Sequence, residues 1–313
     1  MLGSTCPACG ETTSAPVSEE KFLGTYHLER CVGCGHVTTR PAPDWQELSA
    51  LYGPEYYGPE HRRFRAPFEA ATTLFRRLRA RRIARGRAPG VAIDVGCGRG
   101  LLLDELRRRG WKVTGTELSD EAAEYARDTL GIPVMVGEFH RLEIAPGSVD
   151  LVIMWPTFEH MREPNAVLER VHQVLRKGGV AIVSVPNRES WQARFTGPRW
   201  HHLDVPRHLH HYGESTLRRM LERHGFRVGR VEHFNTEQNP FGWLQSLLNM
   251  TSPAASDALF RSLQNDPNRN AGGRQLPLSS LILLPILAPL SVGLSALESL
   301  ARRGGTVTLW AMK

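Results

Sequence analysis

The ten residues VAIDVGCGRG at 91–100 admit few folds. A short β-branched run carries Asp94 near its end, breaks into Gly96, Gly98 and Gly100, and passes into a Leu- and Arg-rich helical pattern over 101–109. A second apolar run, KVTGTELS at 112–119, carries Glu117 at its tip. Strand, glycine loop, helix, strand and distal acid in that order make the first half of a nucleotide-binding βαβ unit. Glycine lets the backbone turn tightly and lets a ligand lie against it. An acid at the tip of the second strand can accept hydrogen bonds from both hydroxyls of a ribose.

The alternation continues downstream. Ser119 is placed to cap a helix running to Leu130, Val134–Val136 reads as a short strand ending near Gly137 and Glu138, and the spacing predicts an apolar strand from Asp150 to Trp155. An amphipathic helix over Pro164–Leu175 is stopped by Lys177-Gly178-Gly179 and followed by a buried strand, Val180–Val185. A helix over Glu214–His224, a strand through Phe234 and a last strand over Thr306–Met312 complete the pattern. Strands alternating with helices predict an α/β fold, a doubly wound and largely parallel sheet.

Four of the five cysteines form two knuckles, Cys6-Pro-Ala-Cys9-Gly and Cys31-Val-Gly-Cys34-Gly. Two CxxCG turns suit one tetrahedral Zn2+, and four thiolates leave no open position for water, so the expected role is structural. The fifth, Cys97, lies inside the glycine loop and reads as a small packed residue. Thiol pairs of this kind point to a reducing compartment, and MLGSTCPACG has neither the basic nor the apolar region of a secretory leader. The expected location is the cytoplasm, with peripheral contact to the inner face of the membrane left open.

The net charge of +7 is concentrated: between Arg62 and Arg87 lie ten arginines against one acid, Glu69. Phe68, Ala71, Phe75 and Leu78 recur there at helical spacing, which predicts a helix packing that stripe on the core and showing arginines to solvent. LYGPEYYG at 51–58 reads as an aromatic loop. Leu276–Leu297 carries no charge and is long enough to cross a bilayer, but prolines 277, 285 and 289 interrupt it. A closing strand after it returns the chain to the side where it began. We therefore expect no transmembrane crossing, but a helical pair packed as a lid or an element lying on a membrane surface.

Asp94-Val95-Gly96-Cys97-Gly98-Arg99-Gly100 resembles motif I of the class I S-adenosylmethionine (SAM) methyltransferases, and Glu117 resembles their ribose-binding acid. GSVDLVIMWPTFEHM, LRKGGVAIVSVPN and DVPRHLHHYGESTLRRMLERHGF are similar to later segments of a bacterial group, with a type-23-like methyltransferase domain, that often carries an N-terminal CxxC…CxxC ribbon. The resemblance implies a Rossmann-like seven-stranded sheet with a small zinc ribbon and a helical apolar insertion before the last strand. It divides the chain into a ribbon (1–40), a linker and basic helix (41–88) and a methyltransferase domain (89–313) with the insertion at 251–305. By position it assigns Asp94, Gly96, Cys97, Gly98, Gly100, Glu117 and Leu118 to SAM, Glu138 and Phe139 to the adenine, and Trp155 and His160 to the methyl-transfer centre.

Ubiquinone-type relatives use an extra acid for a divalent metal where this chain has Pro156 or Thr157, so no catalytic metal is expected. Histidines are dense between His201 and His211 (201, 202, 208, 210 and 211), and His208 falls on the PRH segment that shapes the acceptor pocket in the family. A general base drawn from His160, His208 or His211 fits them better than a second metal site. The leading expectation is methyl transfer to an oxygen- or carbon-centred acceptor on a large or apolar small molecule. An RNA methyltransferase using the ribbon and the basic helix is the second reading, although no Asn-Pro-Pro-Tyr-type motif is present. A non-catalytic SAM-fold binding protein is the third.

Overall fold

The computed structural model describes residues 5–12, 14–17, 22–50, 64–252, 256–265 and 276–313. The aromatic loop at 51–58, Arg62 and Arg63, and part of the segment before the apolar run lie outside them. Strands β1 (Ser14–Pro16), β2 (His27–Cys31) and β3 (Val37–Arg40) are followed by helices α1 (Trp45–Ala50) and α2 (Ala66–Ala84). Then come β4 (Val91–Val95), α3 (Leu101–Arg107), β5 (Lys112–Glu117), α4 (Asp120–Glu124, continued by a π-turn over Tyr125–Thr129), β6 (Val134–Val136) and β7 (Val149–Met154). After α5 (Pro164–Val174), β8 (Leu175–Pro186), α6 (Trp191–Thr196), β9 (His210–His211), α7 (Glu214–Arg223) and β10 (Arg227–Glu232), the chain forms α8 (Gln238–Thr251), α9 (Ala258–Leu263), α10 (Leu278–Leu300) and β11 (Thr306–Met312).

Contacts divide the chain into two units that are not contiguous in sequence. One comprises Ala70–Val185, Leu217–Val231 and Thr308–Lys313. It holds the seven-stranded sheet, ordered β10-β11-β8-β7-β4-β5-β6. β4 pairs in parallel with β5 and β7, β5 with β6, and β7 with β8. The bonds Gly178 N–H to Lys313 O (3.1 Å) and Lys313 N–H to Gly179 O (3.0 Å) run β11 antiparallel to β8. Strand order reverses beside β4, which makes the carboxyl end of that strand the ligand-binding crevice of an open α/β sheet. Leu151, Val152, Ile153 and Met154 of β7 are all buried, the continuous apolar run that a strand covered on both faces requires. Leu103, Leu106 and Trp111 pack with Ala92, Leu151 and Ile182 to seat α3. Ser119 caps α4 by accepting from Ala122 N–H at 3.2 Å.

The buried side of α2 differs from the stripe expected at Phe68, Ala71, Phe75 and Leu78. Phe68 and Leu78 are exposed, and the buried positions are Thr72, Ala80 and Ile83. Arginines on several faces leave Thr72, Ala80 and Ile83 as the side that approaches the core, and propensity alone does not identify it.

The second unit comprises Met1–Glu69, Pro186–Thr216 and Glu232–Val307. Its four-stranded sheet has the order β1-β2-β3-β9, with antiparallel pairing throughout. The fourth strand comes from His210–His211, so the sheet next to the cysteine knuckles is completed by a segment far along the chain. The apolar run forms one helix, α10, with Pro285 and Pro289 in its interior, where a helical pair was one of the two expected forms. It packs against α8, which also contacts α6.

Candidate active site

The glycine loop sits at the carboxyl end of β4. Gly96, Gly98 and Gly100 all have left-handed backbones (φ 73°, 49° and 67°). Gly96 and Cys97 donate to Thr116 O at 2.9 and 3.1 Å, tying the loop to β5. A Cβ on Gly96 would lie 2.6 Å from Thr157 Cγ2, and Thr157 Oγ1 donates to Val95 O at 2.9 Å. The loop is thus closed from behind by a residue that sequence reading noted only as the place where a metal-binding acid is missing. A Cβ on Gly98, in contrast, would meet nothing within 4 Å. That position faces open space, as a cradle for a ligand must.

Glu117 joins the two halves of the motif. Its Oε1 accepts Gly98 N–H at 2.8 Å and its Oε2 accepts Leu118 N–H at 2.9 Å. A carboxylate has about four acceptor positions, so two remain for a diol. Burial raises its pKa against those two backbone bonds. Asp94 is fully buried, and desolvation raises its pKa to about 8; the Arg79 charge pulls it down and Glu117 pushes it up. The charges of Arg79 and Glu117 thus act on Asp94 in opposite senses, and desolvation outweighs both.

Cys97 packs its thiol against the bare Gly115 of β5, where a Cβ would lie 2.3 Å from Sγ. Burial pushes that thiol well up. Cys97 thus contributes backbone to the loop while its side chain turns toward the sheet. Leu118 is exposed, Phe139 is buried in a 3-10 turn after β6, and Glu138 pairs with Arg141 at 2.8 Å. Trp155 is partly buried against the sheet core, and His160 ends the short turn Phe158–His160 that follows β7.

Arg79 was read from the sequence as one of many solvated arginines on α2. Its guanidinium lies over the Trp155 ring, 4.5 Å from the centroid, and its charge acts on Asp94. Arg99 lies likewise 4.7 Å from the centroid of Tyr125. No spacing rule reveals either pair, because each joins elements separated in sequence.

The remaining expected residues belong to the other unit. His211 is buried with Nε2 3.0 Å from Thr39 Oγ1, and desolvation holds its pKa well below the ordinary value. His208 is buried, with Nδ1 2.9 Å from His202 O. A third arrangement was not anticipated: His201 Nδ1 lies 2.7 Å from Asp257 Oδ1, and Asp257 is fixed by Asn249. Burial works to raise the Asp257 pKa, but the His201 hydrogen bond holds it below the usual range.

Cys6, Cys9, Cys31 and Cys34 converge, with all four Sγ atoms within 4.8 Å of one another. Cys6 and Cys34 are separated by 3.6 Å and Cys9 and Cys31 by 3.4 Å. Thiolates about 2.3 Å from a tetrahedral ion lie about 3.8 Å apart, so the donor set fits zinc. Tight turns present the pairs: Gly10 N–H donates to Cys6 O at 2.8 Å and Gly35 N–H to Cys31 O at 2.9 Å. Both glycines are left-handed, at φ 87° and 77°.

Comparison with known proteins agrees with this geometry. The ubiquinone biosynthesis O-methyltransferase of Cupriavidus pinatubonensis is 28% identical over 172 residues, 52% of this chain and 69% of that protein. The protein of the same name from Sodalis glossinidius is 31% identical over 127 residues, 38% of this chain and 51% of that one. This chain thus spans between about half and just over two thirds of the length of these two relatives. Among solved structures, the [4+2]-cyclase SpnF is similar at a TM-score of 0.53 and 17% identity, covering 87% of this chain and 97% of that one, which is a likeness of fold. A methyltransferase domain model matches residues 61–231, more than half of the chain. With motif, sheet and family in agreement, the chain belongs to the methyltransferase domain family and is a SAM-dependent methyltransferase.

Proposed function

We propose that the enzyme methylates a hydroxyl oxygen on a small molecule with substantial apolar surface. The relatives named O-methyltransferases carry this reading most directly, and the large apolar insertion 251–305 is in keeping with such an acceptor. SAM supplies an electrophilic methyl group, transferred by in-line displacement at sulfur. What the protein must provide is placement, a dry site and a proton acceptor.

In this reading the Gly98 backbone lies against SAM, Glu117 accepts from the ribose hydroxyls, and Asp94 faces the cationic end. Glu138 and Phe139 flank the adenine, and Trp155 walls the methyl-transfer centre. His160 is our choice of general base, since it follows β7 at the carboxyl end of the sheet. His211 suits the task least, being buried, bonded to Thr39 and hard to protonate. In the same reading the four cysteines hold a structural zinc, and the protein works in the cytoplasm, with which paired thiols are in keeping.

A matched pair of variants separates folding from binding. Gly98→Ala should cost about 1–2 kcal/mol of stability for its left-handed backbone and lower SAM affinity at least about tenfold. Gly96→Ala adds a clash with Thr157, worth about 1–3 kcal/mol beyond the same backbone cost. Chemical denaturation and calorimetry with SAM measure both. Equal affinities for wild type and Gly98→Ala would remove the loop from the ligand.

The pH dependence has a definite sign. Asp94 in the free protein is protonated below about 8, and the carboxylate is the form that attracts a cation. Binding therefore takes up the deprotonated form and releases a proton, so affinity rises with pH up to about 8 by at most about tenfold per unit. Asp94→Asn should flatten that rise. An unchanged slope in the variant would assign the proton to another group.

The substrate reading is tested with methyl-labelled SAM incubated with fractionated lysate. Label is expected in an organic-extractable small molecule. One observation supports RNA as a second reading: Arg81, Arg82, Arg85 and Arg230 line an open depression with Leu78. Label in RNA, with binding that weakens steeply as salt rises, would favour it.

A further inference from the structure

We propose that α10 docks this protein onto an anionic lipid bilayer, lying in the interface with its outer face among the acyl chains. The helix Leu278–Leu300 is inside out. Its buried residues are Ser280, Ser291, Ser295 and Glu298, all polar. Apart from Ser279, its exposed residues are apolar, among them Leu278 (72% exposed), Ile282 (65%), Ile286 (64%) and Leu300 (83%). Projected at about 100° per residue, the four buried polar positions fall within an arc of about 60°. The exposed Leu, Ile and Val positions, together with Pro285 and Pro289, cover about 180° on the other side.

The polar face is anchored mainly at its C-terminal end. Glu298 Oε1 accepts Gln192 Nε2 at 2.8 Å and Gly305 N–H at 2.9 Å, which fixes the end of α10 to α6 and to the start of β11. Ser291 and Ser299 return their hydroxyls to carbonyls of the helix itself, each at 2.7 Å. Turning the helix to hide its apolar side would break the Glu298 bonds and the bond from Ser299 Oγ to His233 O (3.0 Å). A soluble protein gains nothing from such an orientation, whereas a helix facing hydrocarbon requires it.

Three further observations select a bilayer over a second copy of the chain. One straight partner helix covers a stripe of about 100°, well short of the exposed arc. In the sequence Arg274 precedes the uncharged run, and Arg302 and Arg303 follow the end of α10, cations of the kind that anionic headgroups select. Trp191, Phe195 and Phe234 of the same unit are also exposed and suit the headgroup boundary. The insertion leaves β10 and returns to the neighbouring strand β11, so α10 is not a lone crossing and the contact is monotopic.

The test uses the full chain and flotation with vesicles of phosphatidylcholine containing about 30% phosphatidylglycerol, at about 0.1 M and 1 M salt. Wild type should float at both, more strongly at low salt. Ile282→Asp/Ile286→Asp alters two exposed side chains and should lower the vesicle partition coefficient at least about a hundredfold. Its SAM affinity and melting temperature should stay unchanged, and Leu74→Asp on exposed α2 serves as the control. Wild type that stays at the bottom of the gradient at both salts overturns the proposal. Flotation that the double variant leaves intact does the same. A wild-type dimer in sedimentation that the double variant converts to monomer, with no flotation of either, assigns the face to a second copy instead.

Discussion

Glu117→Ala should weaken binding of SAM and of its demethylated product by about 10- to 150-fold. The figure follows from about 1.5–3 kcal/mol for hydrogen bonds to a charged group. In the free protein the carboxylate already holds the loop, through Gly98 N–H and Leu118 N–H. Removing it leaves the Gly98 amide without that partner and the ribose without its acceptor. Glu117→Gln separates the two effects, because its amide retains one oxygen for Gly98 but no longer accepts from two hydroxyls. We expect Gln to restore part of the thermal stability, since its NH2 cannot accept from Leu118 N–H, while leaving most of the affinity loss in place. Calorimetry gives the affinities and a melting curve gives the stability. An Ala variant that binds SAM within about twofold of wild type would sink the ribose assignment.

The fold and the loop were legible because both are written locally. Asp94 to Gly100 is contiguous, its glycines are needed at three left-handed positions, and Glu117 follows after a single helix. The alternation of strands and helices could be counted, and Ser119 announced its helix with a capping side chain. The parts that escaped are those made by pairs distant in sequence. Arg79 over Trp155 and Thr157 behind Gly96 depend on how the sheet brings α2 and the end of β7 to the loop. His201 and Asp257 meet across a span that no motif links. The buried stripe of α2 differs from the expected one because Thr72 and Ala80 carry little hydrophobic signal beside Phe68 and Leu78, and Ile83 alone does not define a side. The apolar run shows a different limit. Composition identified it as unusual, but which side of this largely apolar helix is covered depends on packing against α8 and on the Glu298 bonds to Gln192 and Gly305, which join segments distant in sequence.

Cys31→Ser should have the largest structural effect. Each chain should carry one zinc, and the variant none at micromolar metal. Metal binding in a closed thiolate site is itself folding free energy, about 10–16 kcal/mol for small zinc modules. Losing one of four ligands therefore removes order from the segment rather than loosening it slightly. The register extends the prediction beyond the knuckles. β3 pairs with β9, Val37 opposite His211 and Thr38 opposite His210, and Thr39 Oγ1 donates to His208 O at 2.6 Å. Amide exchange should thus accelerate at 27–40 and also at 208–211, although the second segment lies far along the chain. None of the strands β4 to β8 contributes a cysteine to the cluster, so SAM affinity should change little. Metal analysis, hydrogen exchange and calorimetry on the same preparation check the three parts. Zinc-free wild type with undiminished protection at 27–40 would show that the four thiols pack without an ion, and would remove the metal from the account of this sheet.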